Sequence, residues 1–334
     1  MFLEGNRVIL KEVHVQNLNV LENKVYSLHK TESGVFYLSE REKFILPSVL
    51  YGDIVSNAER ILKSFQARNS NTGVLLSGYK GSGKTMLGKL ISIQSELPVI
   101  TVSENFEGSD FFDAISHVKQ QCVIFIDEFE KIYSDNKDAI LALLDGVYES
   151  KKLFLLTTNS LNISEFMLNR LGRIRYHIHY DTLSYEEIVE VVDDKLLNTK
   201  HRDSLIDLLQ LVGYVSYDNV LGVIEELNIH EDLSPPEALN LLNISVTDAR
   251  YDVLVFYEGH RAKTTTYGHP LAHPFMYLWF EYVDKREQKK YVNYRVSTKE
   301  LSHTFSAGKL TITDKEGNKF IYTLSQDYKF KFDV

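Results

Sequence analysis

The hydrophobic period changes several times along the 334 residues, and each change marks a different kind of element. Over residues 1–45 apolar and polar positions alternate. Val25-Tyr26-Ser27-Leu28 and Val35-Phe36-Tyr37-Leu38 flank Thr31-Glu32-Ser33-Gly34, the pattern of a β-hairpin around a glycine-containing turn. From 46 to 180, short apolar runs alternate with amphipathic stretches. Gly73–Ser77, Val99–Val102, Cys122–Ile126, Leu153–Thr157 and Arg175–His179 read as strands. Apolar strands between helices imply a parallel sheet covered on both faces, here of five strands. Residues 181–244 take a helical period over Tyr185–Leu197, Arg202–Leu211 and Tyr217–Leu227. A last helix is opened by Ser234-Pro235-Pro236-Glu237, a serine N-cap followed by proline at the first helical position. Alternation returns in 250–334 over Asp252–Tyr257, Met276–Tyr282, Tyr291–Ser297, Lys309–Thr313 and Lys319–Leu324, with Lys315-Glu316-Gly317-Asn318 as a hairpin turn. Aromatic side chains concentrate in this last stretch, enough for an all-β domain with its own aromatic core.

The expected organisation is therefore a β element over 1–45, an α/β domain over 46–180, a helical segment over 181–244 and a β domain over 250–334. Composition narrows the class. The chain is 44% hydrophobic and 25% charged, as a globular protein is. Its longest apolar run, Ala139 to Leu144, is far short of the ~18 residues of a membrane span. Met1-Phe2-Leu3-Glu4-Gly5-Asn6-Arg7 lacks the basic head and apolar core of a signal peptide. The single cysteine, Cys122, excludes a disulfide framework, and its place at a strand start reads as a buried structural thiol. A cytoplasmic protein is expected, in the host cytoplasm if the source is viral. Residues 245–334 carry 14 basic and 11 acidic side chains, leaving 23 and 35 elsewhere. The body thus holds −12 and the C-terminal part +3. An acidic body disfavours duplex DNA, whose binding leans on cationic contacts to phosphate.

Chemistry enters at Gly78-Tyr79-Lys80-Gly81-Ser82-Gly83-Lys84-Thr85, which fits GxxxxGK[ST] between a strand and a helix expected over Thr85–Ser92. Glycines let the backbone wrap a phosphate with its N–H groups inward, and the helix N-terminus adds positive potential. Lys84 would reach the terminal phosphates, and the Thr85 hydroxyl would face Mg²⁺. Further on, the apolar strand Cys122–Ile126 ends in Asp127-Glu128. Both carboxylates then fall at the C-terminal sheet edge, where open α/β sheets bind ligands. Asp127 suits the Mg²⁺ shell, and Glu128 suits a base toward water. The next apolar strand leads into Thr158-Asn159, and Met167-Leu168-Asn169-Arg170-Leu171-Gly172-Arg173 follows.

The glycine loop, the Asp-Glu pair, Asn159 at the tip of the next strand, and the Arg170-Leu171-Gly172-Arg173 run beyond it together resemble AAA+ ATPases. The likeness is to the AAA subgroup in particular, across roughly residues 46–244. The resemblance implies a P-loop α/β core with a helical lid. It implies ATP and Mg²⁺ as ligands, Glu128 as catalytic base and Asn159 as sensor. Arg170 and Arg173 become arginine fingers acting on a neighbouring subunit in a homo-oligomeric, typically hexameric, ring. It also places Tyr51-Gly52-Asp53-Ile54, Ile188, Ser216 and Tyr217 around adenine, although Tyr217 stands where a small residue is usual. Phe106, in Asn105-Phe106-Glu107-Gly108, falls near the family's polypeptide-gripping pore loop, with a local core role as the alternative. The size, the Asp-Glu-Phe-Glu-Lys run and the tail are also similar to bacteriophage AAA ATPases.

Other chemistry drops out. The chain has no HExxH zinc-protease motif and no NKxD base-reading motif. His177 and His179 share one strand face and read as structural, and His260, His269 and His273 read as loop residues. The run Lys285-Arg286-Glu287-Gln288-Lys289-Lys290 reads as a solvated hairpin tip. The expected function is an ATP-hydrolysing motor that remodels a protein client. The alternatives are a nucleic-acid motor contacting its substrate through the C-terminal β domain, and an ATP-gated assembly scaffold. No membrane partner is expected.

Overall fold

The structure is a computed structural model. It describes residues 2–4, 7–9, 20–106, 109–133, 144, 148–160, 174–210, 212, 214–242, 244, 250–267, 270, 275–306 and 309–325. The chain divides into two compact units, Met1–Asp181 and Thr182–Val334.

The first unit is built on strands β1 (Phe2–Glu4), β2 (Arg7–Ile9), β3 (Val25–Lys30), β4 (Phe36–Arg41), β5 (Thr72–Gly78), β6 (Val99–Thr101), β7 (Cys122–Ile126), β8 (Lys152–Thr158) and β9 (Ile174–Tyr180). They form one sheet in the order β1-β2-β4-β3-β6-β7-β8-β5-β9. The five strands from β6 to β9 are parallel throughout. The N-terminal hairpin does not stand apart: β3 adds to this sheet in parallel, Val25 opposite Val99, and β4, β2 and β1 continue it antiparallel.

Helices α1 (Ile54–Ala67) and α2 (Lys84–Gln94) cover one face, while α3 (Ser109–Ser116) and α4 (Phe129–Ile132) contribute to the other. The period of two in the strands sorts the core. Val74 and Leu76 join Ile61, Leu87 and Ile91 in one apolar cluster, while Leu75, Ile124 and Leu156 join Phe111 and Phe129 in the opposite one. Both faces are covered, so the central strands are apolar through their middles, with Ser77, Lys152 and Thr157 buried toward the strand ends. Cys122 is fully buried in the second cluster, and burial pushes its thiol up to about 11, as befits a structural cysteine. Phe106 also belongs there. It packs edge-on to Phe36 at 5.2 Å and against Phe111 at 5.5 Å, and is 3% exposed. The hairpin supplies that neighbour, so Phe106 is a core residue, and its ring is not free to grip a polypeptide.

The second unit opens with α5 (Tyr185–Lys195), α6 (Arg202–Leu209), α7 (Tyr217–Ile229) and α8 (Pro235–Leu241). Ser184 with Glu187 and Ser216 with Asn219 form reciprocal capping boxes at α5 and α7. Strands β10 (Arg250–Tyr257), β11 (His260–Tyr267), β12 (Phe275–Val283), β13 (Lys289–Ser297), β14 (Ser302–Ser306), β15 (Lys309–Thr313) and β16 (Lys319–Leu324) follow. Five of them make an antiparallel sheet, β11-β10-β16-β15-β14, and β12 with β13 make a separate hairpin. Tyr251, Val253, Phe320 and Tyr322 of the sheet bury against Met276, Leu278 and Phe280 of the hairpin, which gives this region its aromatic core. The α/β class with an additional antiparallel β region is therefore observed.

Two strands carry no apolar alternation and escape the sequence reading: β11 and β14. His260 is not a loop residue. It opens β11 after the tight turn at Glu258 and Gly259, both at positive φ, and stacks on Tyr282 at 4.6 Å. His269 and His273 lie outside the described residues. His177 and His179 both hydrogen-bond Ser77 Oγ, at 2.7 and 3.0 Å, from one face of β9.

Candidate active site

Strand β5 delivers the glycine loop. Its last residue, Gly78, has φ +132°, and a Cβ there would meet the Tyr180 carbonyl of β9 at 2.1 Å, so only glycine lets the chain leave the sheet at this point. Gly83 is the N-cap of α2 at φ +97°, after which the helix starts at Lys84. Lys84 is buried and donates to Gly78 O at 2.7 Å and to Tyr79 O. Ser82 Oγ also donates to Tyr79 O, at 2.8 Å. Burial holds the Lys84 ammonium below the usual lysine range, partly offset by the carboxylates of Glu130, Asp127 and Glu128. A cation folded back onto its own loop's carbonyls is available to a better acceptor, and a phosphate is one. Tyr79, Lys80 and Gly81 complete the loop.

The second half of the site hangs from β7 and β8. Thr85 Oγ1 donates to Asp127 Oδ1 at 2.9 Å, which ties the start of α2 to the end of β7. Thr157 Oγ1 donates to the same oxygen at 2.6 Å and accepts the Glu128 N–H at 2.8 Å. Glu128 sits in the left-handed region, φ 51°, as N-cap of α4. Its Oε1 accepts from Asn159 Nδ2 at 2.6 Å, and its Oε2 pairs with Lys131 at 2.5 Å. Glu130 Oε1 accepts the Asn159 N–H at 2.7 Å, fixing the turn that carries the amide. Beside these groups opens a cavity of about 370 Å³, lined in part by Phe44, Thr85, Lys89, Thr101, Asp127 and Glu128.

The structure thus brings Lys84, Thr85, Asp127, Glu128 and Asn159 to one edge of the sheet. Gly52, Asp53 and Ile54 lie where the chain enters α1, with Gly52 at positive φ and Ile54 in the cluster that holds Leu87. Ile188, Ser216 and Tyr217 belong to the other unit. There Ile188 is core, Ser216 caps α7, and Tyr217 donates to Glu187 at 2.8 Å. Arg170 and Arg173 lie outside the described residues. Sequence reading missed Thr157, Glu130 and Lys131. Thr157 had read only as the end of an apolar strand, and Lys131 gave a signal in its i+3 spacing from Glu128.

The model of the family described as ATPase family associated with various cellular activities (AAA) matches residues 74–182. The chain carries an AAA+ ATPase domain. It is 28% identical over 177 residues to the ATP-dependent zinc metalloprotease YME1 homolog of Schistosoma mansoni, covering 44% of this chain and 26% of that protein. It is 26% identical over 200 residues to a putative cell division cycle ATPase of Plasmodium falciparum, covering 51% and 16%. It is 27% identical over 161 residues to the ATP-dependent zinc metalloprotease FtsH 2 of Phytoplasma mali, covering 40% and 23%. The aligned part of the AAA+ chain spans about a quarter or less of these relatives' own length. Among the described residues, no His, Cys, Asp and Glu cluster could hold a metal ion, and no helix is long and apolar enough to cross a membrane.

Lys131 gives the site a pH signature. Its hydrogen bond and charge, aided by Asn159, hold the Glu128 carboxyl below the usual glutamate range. A base works only when deprotonated, so with Glu128 as the proposed base turnover should fall as pH drops through its pKa. In Lys131→Met that pKa rises, and the acid limb of the kcat profile should move to higher pH. A limb at the same pH in both proteins would disconnect Lys131 from the base.

Proposed function

We propose that this chain is the subunit of a homo-oligomeric, typically hexameric, AAA+ motor that hydrolyses ATP to remodel a protein client. The observation that carries the reading is the join between two halves: Thr85 bonded to Asp127, and Glu128 aimed by Asn159, both beside the glycine loop. Lys84 exchanges its loop carbonyls for the γ-phosphate. Glu128 accepts a proton from the attacking water as its oxygen bonds the γ-phosphorus. The bond to the β–γ bridging oxygen breaks, and its electron pair leaves on ADP. Thr85 Oγ1 and Asp127 Oδ1 are hard oxygen donors 2.9 Å apart, a set that suits magnesium, and they would hold it. Bound there with the nucleotide, the ion supplies neutralising charge at the β- and γ-phosphates.

Gly52, Asp53 and Ile54, with Ile188, Ser216 and Tyr217 of a helical lid over 181–244, are the proposed adenine contacts. Arg170 and Arg173 are the proposed fingers. A protein client is supported by relatives named as proteases. A nucleic-acid client is the second reading, favoured by an exposed aromatic and basic face on β12–β13. Phosphate release from ATP tests the common core of both. It should require Mg²⁺, stop with excess EDTA and return when Mg²⁺ is restored. Turnover that survives chelation would remove Thr85 and Asp127 from the proposed role.

A further inference from the structure

We infer that the outer face of the β12–β13 hairpin binds single-stranded nucleic acid by stacking its bases on protein rings. The inference deepens the nucleic-acid reading above, and binding itself requires no hydrolysis. Along β12 the side chains alternate sharply. Met276, Leu278 and Phe280 are buried in the core, so Phe275, Tyr277, Trp279 and Val283 face solvent. Trp279 is 68% exposed and Tyr291, on β13, is 75% exposed. Rings two residues apart on one strand stand about 6.7 Å apart. That is about twice the 3.4 Å rise of stacked bases, the spacing needed where a ring enters between neighbouring bases. The Arg295 guanidinium already lies 4.4 Å from the Phe275 ring centre and 5.3 Å from that of Tyr277, directly opposite Tyr277 in the ladder.

Charge selects the occupant. Strands β11, β12 and β13 carry Arg261, Lys263, Lys289 and Arg295 against one acid, Glu281, which Lys289 neutralises at 3.2 Å, while Lys290 alternates to the other face and pairs with Asp284 at 3.9 Å. Thr264 Oγ1 donates to Trp279 O at 2.7 Å, which sets β11 beside β12. A basic surface interleaved with exposed rings is how sequence-tolerant single-strand binders work. Interfaces between proteins favour aromatic residues and arginine but are depleted in lysine, which is interspersed here. The cations also stand out in a chain that is −9 overall.

Trp279 is the only tryptophan, so the site reports on itself. The full chain is titrated with unlabelled 20-nucleotide oligo(dT) and oligo(rU) and with a 20-base-pair duplex, with and without ATP. Saturable quenching by a single strand is expected, weakening as salt rises, with the duplex at least tenfold poorer. Tyr277→Ala, Tyr291→Ala and Arg295→Ala should each weaken binding fivefold or more at unchanged thermal midpoints. Trp279→Ala should do the same by anisotropy of a labelled strand. Absence of quenching at low salt would overturn the inference, as would quenching that all three unlabelled-strand variants retain. A permanently unfolded casein that quenches Trp279 where single strands do not would assign the face to polypeptide instead. Phosphate release measured in the same samples separates a failed motor from a failed binding face.

Discussion

Lys84→Ala should weaken ATP binding about a hundredfold, whereas Glu128→Gln should bind ATP as the parent does and turn it over about 10²–10⁴ times more slowly. The two residues sit close to the same phosphates in the proposed complex, yet they act on different states. Lys84 is buried in the loop with its ammonium bonded to Gly78 O and Tyr79 O, and it meets the charge of the bound nucleotide before any bond changes. A hydrogen bond to a charged group contributes about 1.5–3 kcal/mol, so its loss reads out as affinity. In the proposed reaction Glu128 faces the attacking water. Its Oε1 is held by Asn159 and its Oε2 by Lys131, and glutamine keeps the shape while losing the basicity. Only the transition state feels that loss, so kcat falls and binding is spared. Nucleotide affinity by calorimetry and turnover by phosphate release decide it. An ATP-gated scaffold predicts instead that Glu128→Gln keeps its biological function, because such a protein needs binding alone. Near-parental turnover in Glu128→Gln would remove the base.

What the sequence made legible follows from how each part is buried. Strand β7 runs Cys122–Ile126 as read, because a strand covered on both faces is predominantly apolar. The glycine loop was legible for a local reason: Gly78 has no room for a side chain against Tyr180. The pairing of β3 with β6 was not, since Val25 and Val99 are far apart in sequence and nothing local announces their meeting. That unseen pairing also decided Phe106. Its partner Phe36 arrives on the N-terminal hairpin, and the ring is consumed in the core. Strand β11, His-Arg-Ala-Lys-Thr-Thr-Thr-Tyr, stayed hidden because threonine and charge replace the apolar half of the alternation. Thr157 was hidden by its neighbours. One hydroxyl at the end of an apolar strand bonds both Asp127 and the Glu128 backbone, a role visible only once β7 and β8 are side by side.

The largest effect is expected in trans. Arg170 and Arg173 follow Asn159 in the order and Arg-x-Gly-Arg pattern that resembles finger arginines of the AAA subgroup. The described site already has a cation from its own subunit at the loop, Lys84, and a carboxylate held by Asn159, that of Glu128. Among the described residues, the cavity is bordered by Lys89 and Lys131 but by no arginine. A planar guanidinium delivered to the transferring phosphoryl group from outside would complete the site, and such a finger is worth about 10³–10⁵ in rate. Specific ATPase activity should therefore rise more steeply than protein concentration through the range where subunits associate. Arg170→Ala and Arg173→Ala should keep ATP binding and lose most turnover. Mixing Arg170→Ala with Lys84→Ala should restore part of it, because a pocket intact in one subunit then meets an arginine intact in its neighbour. Random order around a ring limits the rescue to a fraction of the parent rate. The measurement is turnover against concentration, with mass from light scattering on the same samples. A monomer whose specific activity does not change with concentration would defeat the trans arrangement. Glu128 and Lys84 would then be left acting within one chain.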